Sequence, residues 1–369
     1  MNNASGQFET GIPVLEVSGD GRAMGRAHGR AYEADVRRFA RERLRLAIEP
    51  HWVGQPLMEE TVLSVTGDCL TAHRDYSPAL TAELEGLAAA AGIGLEEALL
   101  VGGFTDLVDT FYAAAGAAGP APVEADQCTA FLVPGERTRT GHALFGQTWD
   151  MHETGASHAL VLQGHPDDAP AFAVFTSAGA VGMIGMNEAG ITIGINNLSG
   201  ADGRIGVTWN FVVREALRQT RFEDALDCIT QATLAGAHNY LLMDALGNGV
   251  NVEATATTQV VTHLEREPLA HTNHCVAKET RARQRTRDPI AQASSERRLE
   301  RAYELLDRSG LDVEDLMAVT RDEQAICYQG KPPAHIATCG AVIADPSSRR
   351  LWAVRGLPSV NRYVEVAVG

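Results

Sequence analysis

The chain has 369 residues, 45% of them hydrophobic and 21% charged, which is ample material for a core and excludes the disordered and low-complexity classes. The length fits two or three ordinary domains or one large α+β unit. Lys+Arg 31 against Asp+Glu 47 leaves a net charge of −16, a balance that repels phosphate backbones and anionic lipid and argues against nucleic acid or membrane as partners.

No run approaches the roughly 20 uninterrupted apolar residues of a membrane span. The N-terminal Met1-Asn2-Asn3-Ala4-Ser5-Gly6-Gln7 lacks the basic start and apolar run of a signal peptide, so a cytoplasmic location is expected. The six cysteines, Cys69, Cys128, Cys228, Cys275, Cys327 and Cys339, show no CxxC spacing. They signal neither a disulfide framework nor a zinc ribbon.

The first 110 residues read mainly as helix. One helix is expected from Met24 to about Ile48, dense in Arg and Glu. A second starts at Ser77, an N-cap followed by Pro78, and carries Leu80, Leu84 and Leu87 in phase until Gly92-Ile93-Gly94. A third follows from Leu95. The stretch from Ala113 to Pro122, made of Ala, Gly and Pro, reads as an exposed linker. Short strands separated by turns come next, at Thr129–Val133, Ala143–Gln147, Ala159–Leu162, Ala171–Thr176, Val181–Met186 and Ile191–Asn196.

Helical phase returns with Trp209, Val212, Val213, Ala216 and Leu217, then with Phe222, Ala225, Leu226 and Ile229. Strands at Tyr240–Met243 and Val250–Ala254 form a hairpin across Asp244-Ala245-Leu246-Gly247-Asn248-Gly249. Leu299, Ala302 and Leu306 mark a late helix, and the last strands fall near Ala341–Ala344, Leu351–Val354 and Val364–Val368. The pattern predicts an α+β fold with helices packed on antiparallel sheets.

Three segments carry candidate chemistry. Cys128 stands where the linker enters a strand, in Asp126-Gln127-Cys128-Thr129; beside Ala130 and Phe131 it also reads as a small buried hydrophobe. Gly146-Gln147-Thr148-Trp149-Asp150 puts an acid at the end of a strand that pairs with the Cys128 strand if Pro134–Gly141 closes a hairpin, and that acid could equally be a turn residue. His271-Thr272-Asn273-His274-Cys275 invites a zinc reading, but His-x-x-His-Cys matches no common zinc spacing. Asn273 could instead donate a side-chain N–H to an oxyanion, or the segment could be a polar loop.

Together with Ala178-Gly179-Ala180-Val181-Gly182 and Gly185-Met186-Asn187-Glu188-Ala189-Gly190, these segments resemble the acyl-coenzyme A:isopenicillin N acyltransferase family, cysteine members of the N-terminal-nucleophile (Ntn) hydrolases. The order and approximate spacing hold from about Gly11 to the last strand. The resemblance implies a four-layer αββα sandwich. It also implies a precursor that cuts itself between Gln127 and Cys128, giving a mainly helical α-chain, 1–127, packed on a β-chain, 128–369, as one structural unit.

The chemistry implied is self-contained. The Cys128 thiol attacks the preceding carbonyl, an N→S acyl shift leaves a thioester, and water releases a new N-terminus. The freed α-amine, with an ordinary pKa of about 7.7–8.0 against about 8.5 for a thiol, then serves as base within the same residue. By similarity Asp150 orients the amine or thiol, while the Asn273 side chain and the backbone N–H of Asn197 stabilise the oxyanion. Three positions depart from the family, one of them Ala130, which follows Thr129 in place of a second hydroxyl. Gln127 replaces the usual Gly before the nucleophile, which predicts slow self-cleavage. His335 stands where the penicillin enzyme has an arginine, a titratable ring in place of a permanently charged fork.

The function expected is transfer of an acyl group from a small amide or peptide-like substrate through a Cys128 thioester, to water by default or to an amine, without cofactor or metal. Three readings stay open beside it: a dedicated acyl-coenzyme A-dependent N-acyltransferase, a non-catalytic member of the family, and a zinc site at His271–Cys275.

Overall fold

The computed structural model describes Phe8 and residues 11–116, 127–330 and 335–369. In chain order it contains β1 (Val14–Gly19), α1 (Gly21–Ala31), α2 (Glu33–Ile48), α3 (Pro50–Val53), α4 (Glu59–Tyr76), α5 (Pro78–Ala91), α6 (Leu95–Ala114), β2 (Ala130–Val133), β3 (Leu144–His152), β4 (Ala159–Pro166) and β5 (Phe172–Ser177). There follow β6 (Ile184–Asn187), β7 (Thr192–Leu198), α7 (Trp209–Ala216), α8 (Phe222–Thr230), β8 (Ala237–Met243), β9 (Gly249–Ala254), β10 (Gln259–His263) and β11 (Leu269–His271). The last elements are α9 (Lys278–Arg281), α10 (Pro289–Leu306), α11 (Val313–Thr320), β12 (Ile336–Asp345), β13 (Arg350–Arg355) and β14 (Val364–Ala367). Most of the predicted Ala113–Pro122 linker lies outside the described residues.

Among the described residues the strands form two sheets. One is ordered β1-β4-β5-β6-β7-β8-β9-β10 and the other β11-β2-β3-β12-β13-β14. All pairings are antiparallel except β1 with β4. The sheets face each other: Trp149 on β3 meets Phe175 on β5 with ring centroids 5.8 Å apart, and the Gln147 side chain accepts from Ile195 N at 2.8 Å and donates to Ile195 O. Helices α1, α6, α7 and α8 cover the outer side of the first sheet, and α10 and α11 that of the second. Helix, sheet, sheet, helix is the αββα order, with the main core between and around the sheets.

Local chemistry fixes several boundaries. Helix α5 starts at Ser77, whose Oγ accepts from Leu80 N at 3.3 Å, and stops at Gly92 in the left-handed region at φ 66°. The expected single helix over Met24–Ile48 is instead two, broken at Tyr32. The reason lies in packing: an added Cβ at Gly25 would overlap the Glu83 carbonyl, so the glycine face of α1 lies directly on α5, whereas α2 turns to pack on α6. The sequence reading also missed β1, β10 and β11. It cut β3 short, so that Asp150, expected at a strand end, sits inside the strand with Met151 and His152 beyond it.

Residues before and after position 128 share one core, which holds Leu84, Leu99 and Phe104 together with Val161, Phe175 and Ile193. Buried polar pairs also cross between them. Arg214 grips Glu83 through both Nη atoms at 3.1 Å, His238 Nδ1 bonds Asp106 at 2.7 Å, and Arg285 donates to Asp109 at 2.9 Å. No single helix among the described residues is long and apolar enough to cross a membrane.

Candidate active site

Cys128 lies just before β2 and is buried. Pairing of β2 with β3 aligns Ala130 with Gln147 and brings the thiol to the far end of β3, where Asp150 N donates to Cys128 Sγ at 3.3 Å and the Asp150 carbonyl lies 3.7 Å away. The Asp150 side chain is fully buried. Opposite it, β12 carries a bulge: Thr338 pairs with Asp150 and Gly340 with Trp149, leaving Cys339 as the extra residue. Such a bulge bends the strand and re-aims neighbouring side chains.

The third segment arrives on β11, where His271 pairs with Ala130. Asn273 follows and is buried. Its Nδ2 donates to the Asn197 carbonyl at 3.0 Å, and its Oδ1 accepts from Arg298 Nη2 at 3.0 Å. Because Oδ1 faces a guanidinium, the amide orientation is fixed. Nδ2 carries two N–H groups, and Asn197 takes one of them. Asn197 is engaged through its carbonyl at the end of β7, where it pairs with His238.

Sequence reasoning missed Arg298. This arginine, about 1% exposed, donates from Nη1 to the Cys128 carbonyl at 2.5 Å and to Thr129 Oγ1 at 3.3 Å, so a single guanidinium gathers Cys128 and Asn273. One turn earlier on α10, Ser295 Oγ accepts from Asn273 N at 3.0 Å and bonds His274 Nδ1 at 2.8 Å. The signal was present: Ser295 and Arg298 fall on the same buried stripe as Ala302 and Leu306. A charged residue on such a stripe is buried for a reason. Replacing Arg298 by Met is expected to lower turnover about 10- to 100-fold, the scale of a charge-assisted hydrogen bond. Arg298→Lys should recover part of the loss, since it restores charge but not the fork; kcat measurements on both variants check this.

His335 stands apart from this group. Its backbone is left-handed at φ 53°, an uncommon setting for a non-glycine residue. Its Nδ1 lies 3.2 Å from Glu153 Oε1 and its ring 6.2 Å from the His152 ring. Gln127 Oε1 accepts from Ser294 Oγ at 3.4 Å.

The cysteine and histidines of the zinc reading are committed elsewhere. Both ring nitrogens of His271 face acceptors, Glu253 Oε1 at 2.9 Å and the Thr272 carbonyl at 2.7 Å. Burial works to raise the Glu253 carboxyl, but the His271 hydrogen bond and charge, Thr280 and the Val276 amide outweigh it and hold the pKa at about 2. His274 is lowered to about 4 by burial and then by His271 and Arg287. Burial and then Glu253 push the Cys275 thiol up to about 12. Among the described residues, no group of three or more His, Cys, Asp or Glu is placed to hold a metal ion.

A pocket of about 700 Å³ opens beside this cluster, lined among others by Ser294 and Arg298 of α10, Cys327, Tyr328, Leu357 and Ser359. Tyr328 is tied to Thr338, the β12 partner of Asp150, by Tyr328 N to Thr338 Oγ1 at 2.9 Å and Thr338 N to the Tyr328 carbonyl at 2.8 Å.

Among solved structures, penicillin V acylase from Agrobacterium tumefaciens aligns at 12% identity and TM-score 0.41, over 62% of this chain and 83% of that one. A mutant of conjugated bile acid hydrolase from Clostridium perfringens aligns at 11% identity and TM-score 0.39, over 66% of this chain and 97% of that one. The model of the acyl-coenzyme A:6-aminopenicillanic acid acyl-transferase family matches residues 137–359, well over half of the chain. The chain therefore belongs to that family.

Proposed function

We propose that the chain is a cysteine Ntn amidohydrolase that cuts itself between Gln127 and Cys128 and transfers an acyl group from a small amide or peptide-like substrate, through a Cys128 thioester, to water. The observation that carries this reading is the gathering of Cys128 and Asn273 on Arg298, with Asp150 N–H on the thiol and a pocket lined by the same arginine. The Cys128 sulfur attacks the acyl carbon and the amine leaves with the proton taken from the thiol. Water then cleaves the thioester, with the α-amine of Cys128 as base. The second N–H of Asn273 Nδ2 supplies the oxyanion donor. Fragments 1–127 and 128–369 stay together through the shared core, and the enzyme works in the cytoplasm.

The family's name favours a second reading, an acyl-coenzyme A donor with an amine acceptor; a net charge of −16 opposes the approach of so anionic a donor. Incubation with a panel of N-acyl amides, with and without hydroxylamine, separates the two. Hydrolysis without hydroxylamine and release of the acyl hydroxamate with it support the hydrolase acting through a thioester, and product formed only from acyl-coenzyme A and an amine supports the transferase.

Asp150→Asn is expected to lower turnover about 10- to 100-fold. Near-normal kcat in that variant would reduce Asp150 to a strand residue whose backbone alone matters.

A further inference from the structure

Asp109, on α6, lies before the cleavage point and far in sequence from the site, yet it is about 1% exposed and fully committed. One carboxylate oxygen accepts from Gly200 N at 2.9 Å and Ala237 N at 3.0 Å, the other from Arg285 Nη2 at 2.9 Å. Burial pushes this carboxyl up to about 7 even though Arg285 and the two amides pull it down. Arg285 N in turn donates to the Ser199 carbonyl at 2.8 Å, and Ala201 N to the Arg283 carbonyl at 2.7 Å.

The turn after β7 is therefore clamped from two sides. On one side stands the 273–285 segment, whose Asn273 holds the Asn197 carbonyl and whose Gln284 accepts from Cys275 N at 2.6 Å. On the other stands α6, against which the turn lies so closely that an added Cβ at Gly203 would overlap the Asp109 backbone. Thr110 Oγ1 closes the contact, 3.1 Å from the Arg204 carbonyl and 3.2 Å from the Ala235 carbonyl. The whole arrangement fixes where Asn197 sits, and Asn197 fixes one N–H of Asn273.

We infer that Asp109, acting through Arg285 and the Asn197–Ala201 turn, is a positioning residue for the oxyanion donor on Asn273, so that the segment before Cys128 remains a working part of the enzyme after cleavage. This rests on the Cys128 reading above. A propeptide that merely blocks the site has no need of a buried acid bonded to the far side of the oxyanion segment. A fragment that stays does.

The test uses full-length protein carrying Asp109→Asn, Arg285→Gln, both together, or Arg285→Lys, with kcat and KM on the best substrate of the N-acyl amide panel and the rate of self-cleavage followed by mass. Each of the first two changes is expected to lower kcat and the self-cleavage rate about 5- to 50-fold with KM within twofold. The double variant should fall little below either single one, because the two act along one path, and Arg285→Lys should recover part of the loss. If Asp109→Asn fails to fold, Arg285→Gln and Arg285→Lys carry the comparison. Turnover that needs Cys128 but stays within twofold of wild type in the folded variants overturns the inference alone. Turnover that survives Cys128→Ala overturns the Cys128 reading and the inference with it.

Discussion

Cys128→Ala is expected to leave a full-length, folded and inactive chain, with turnover lower by about 10⁴-fold or more. The thiol supplies both the bond that forms on the substrate and, in the precursor, the attack that frees the α-amine, so its loss removes nucleophile and base together. Folding should survive. Cys128 is buried beside Ala130, Leu132 and the core of the first sheet, and Ala fills most of the same volume. Cys128→Ser is the informative companion: a hydroxyl is a poorer nucleophile at neutral pH, so a slowly cut chain with residual activity is expected. A Cys128→Ala variant that keeps turnover would remove the nucleophile from the account.

Asn273→Ala should lower kcat by roughly 10²–10³-fold, the usual cost of one oxyanion donor, with KM little changed. Chelators should have no effect, because the His271 nitrogens are held by Glu253 and Thr272, and the Cys275 thiol is held protonated by burial. The measurement belongs on enzyme that has already been cut, since the same donor would assist self-cleavage and an uncut variant would be inactive for another reason. Activity that chelation abolishes and Asn273→Ala spares would reverse the assignment of this segment.

What the sequence disclosed divides along physical lines. Local signals read correctly: Ser77 and Pro78 at the start of α5 with Gly92 at its end, and the turn from Asp244 to Gly249 that joins β8 to β9. The hairpin that carries Cys128 toward Asp150 also followed from strand and turn residues alone. Features set by distant partners did not. The break at Tyr32 depends on which helix the glycine face of α1 meets, and β1 is a strand because β4 lies beside it. Arg298 shares the stripe of Ala302 and Leu306 on α10, but what it holds there, the Cys128 carbonyl and the Asn273 amide, is distant in sequence and shows only in the fold. Asn197 was named for its N–H; the bond from Asn273 Nδ2 to its carbonyl shows only once Asn273 is placed beside it.

The most direct test of the central claim is the intact mass of purified wild-type protein under denaturing conditions. The account predicts two chains, residues 1–127 and 128–369, accumulating with time as Gln127 slows but does not prevent the cut. A chain that remains one piece of 369 residues after prolonged incubation, yet is fully active, would contradict it.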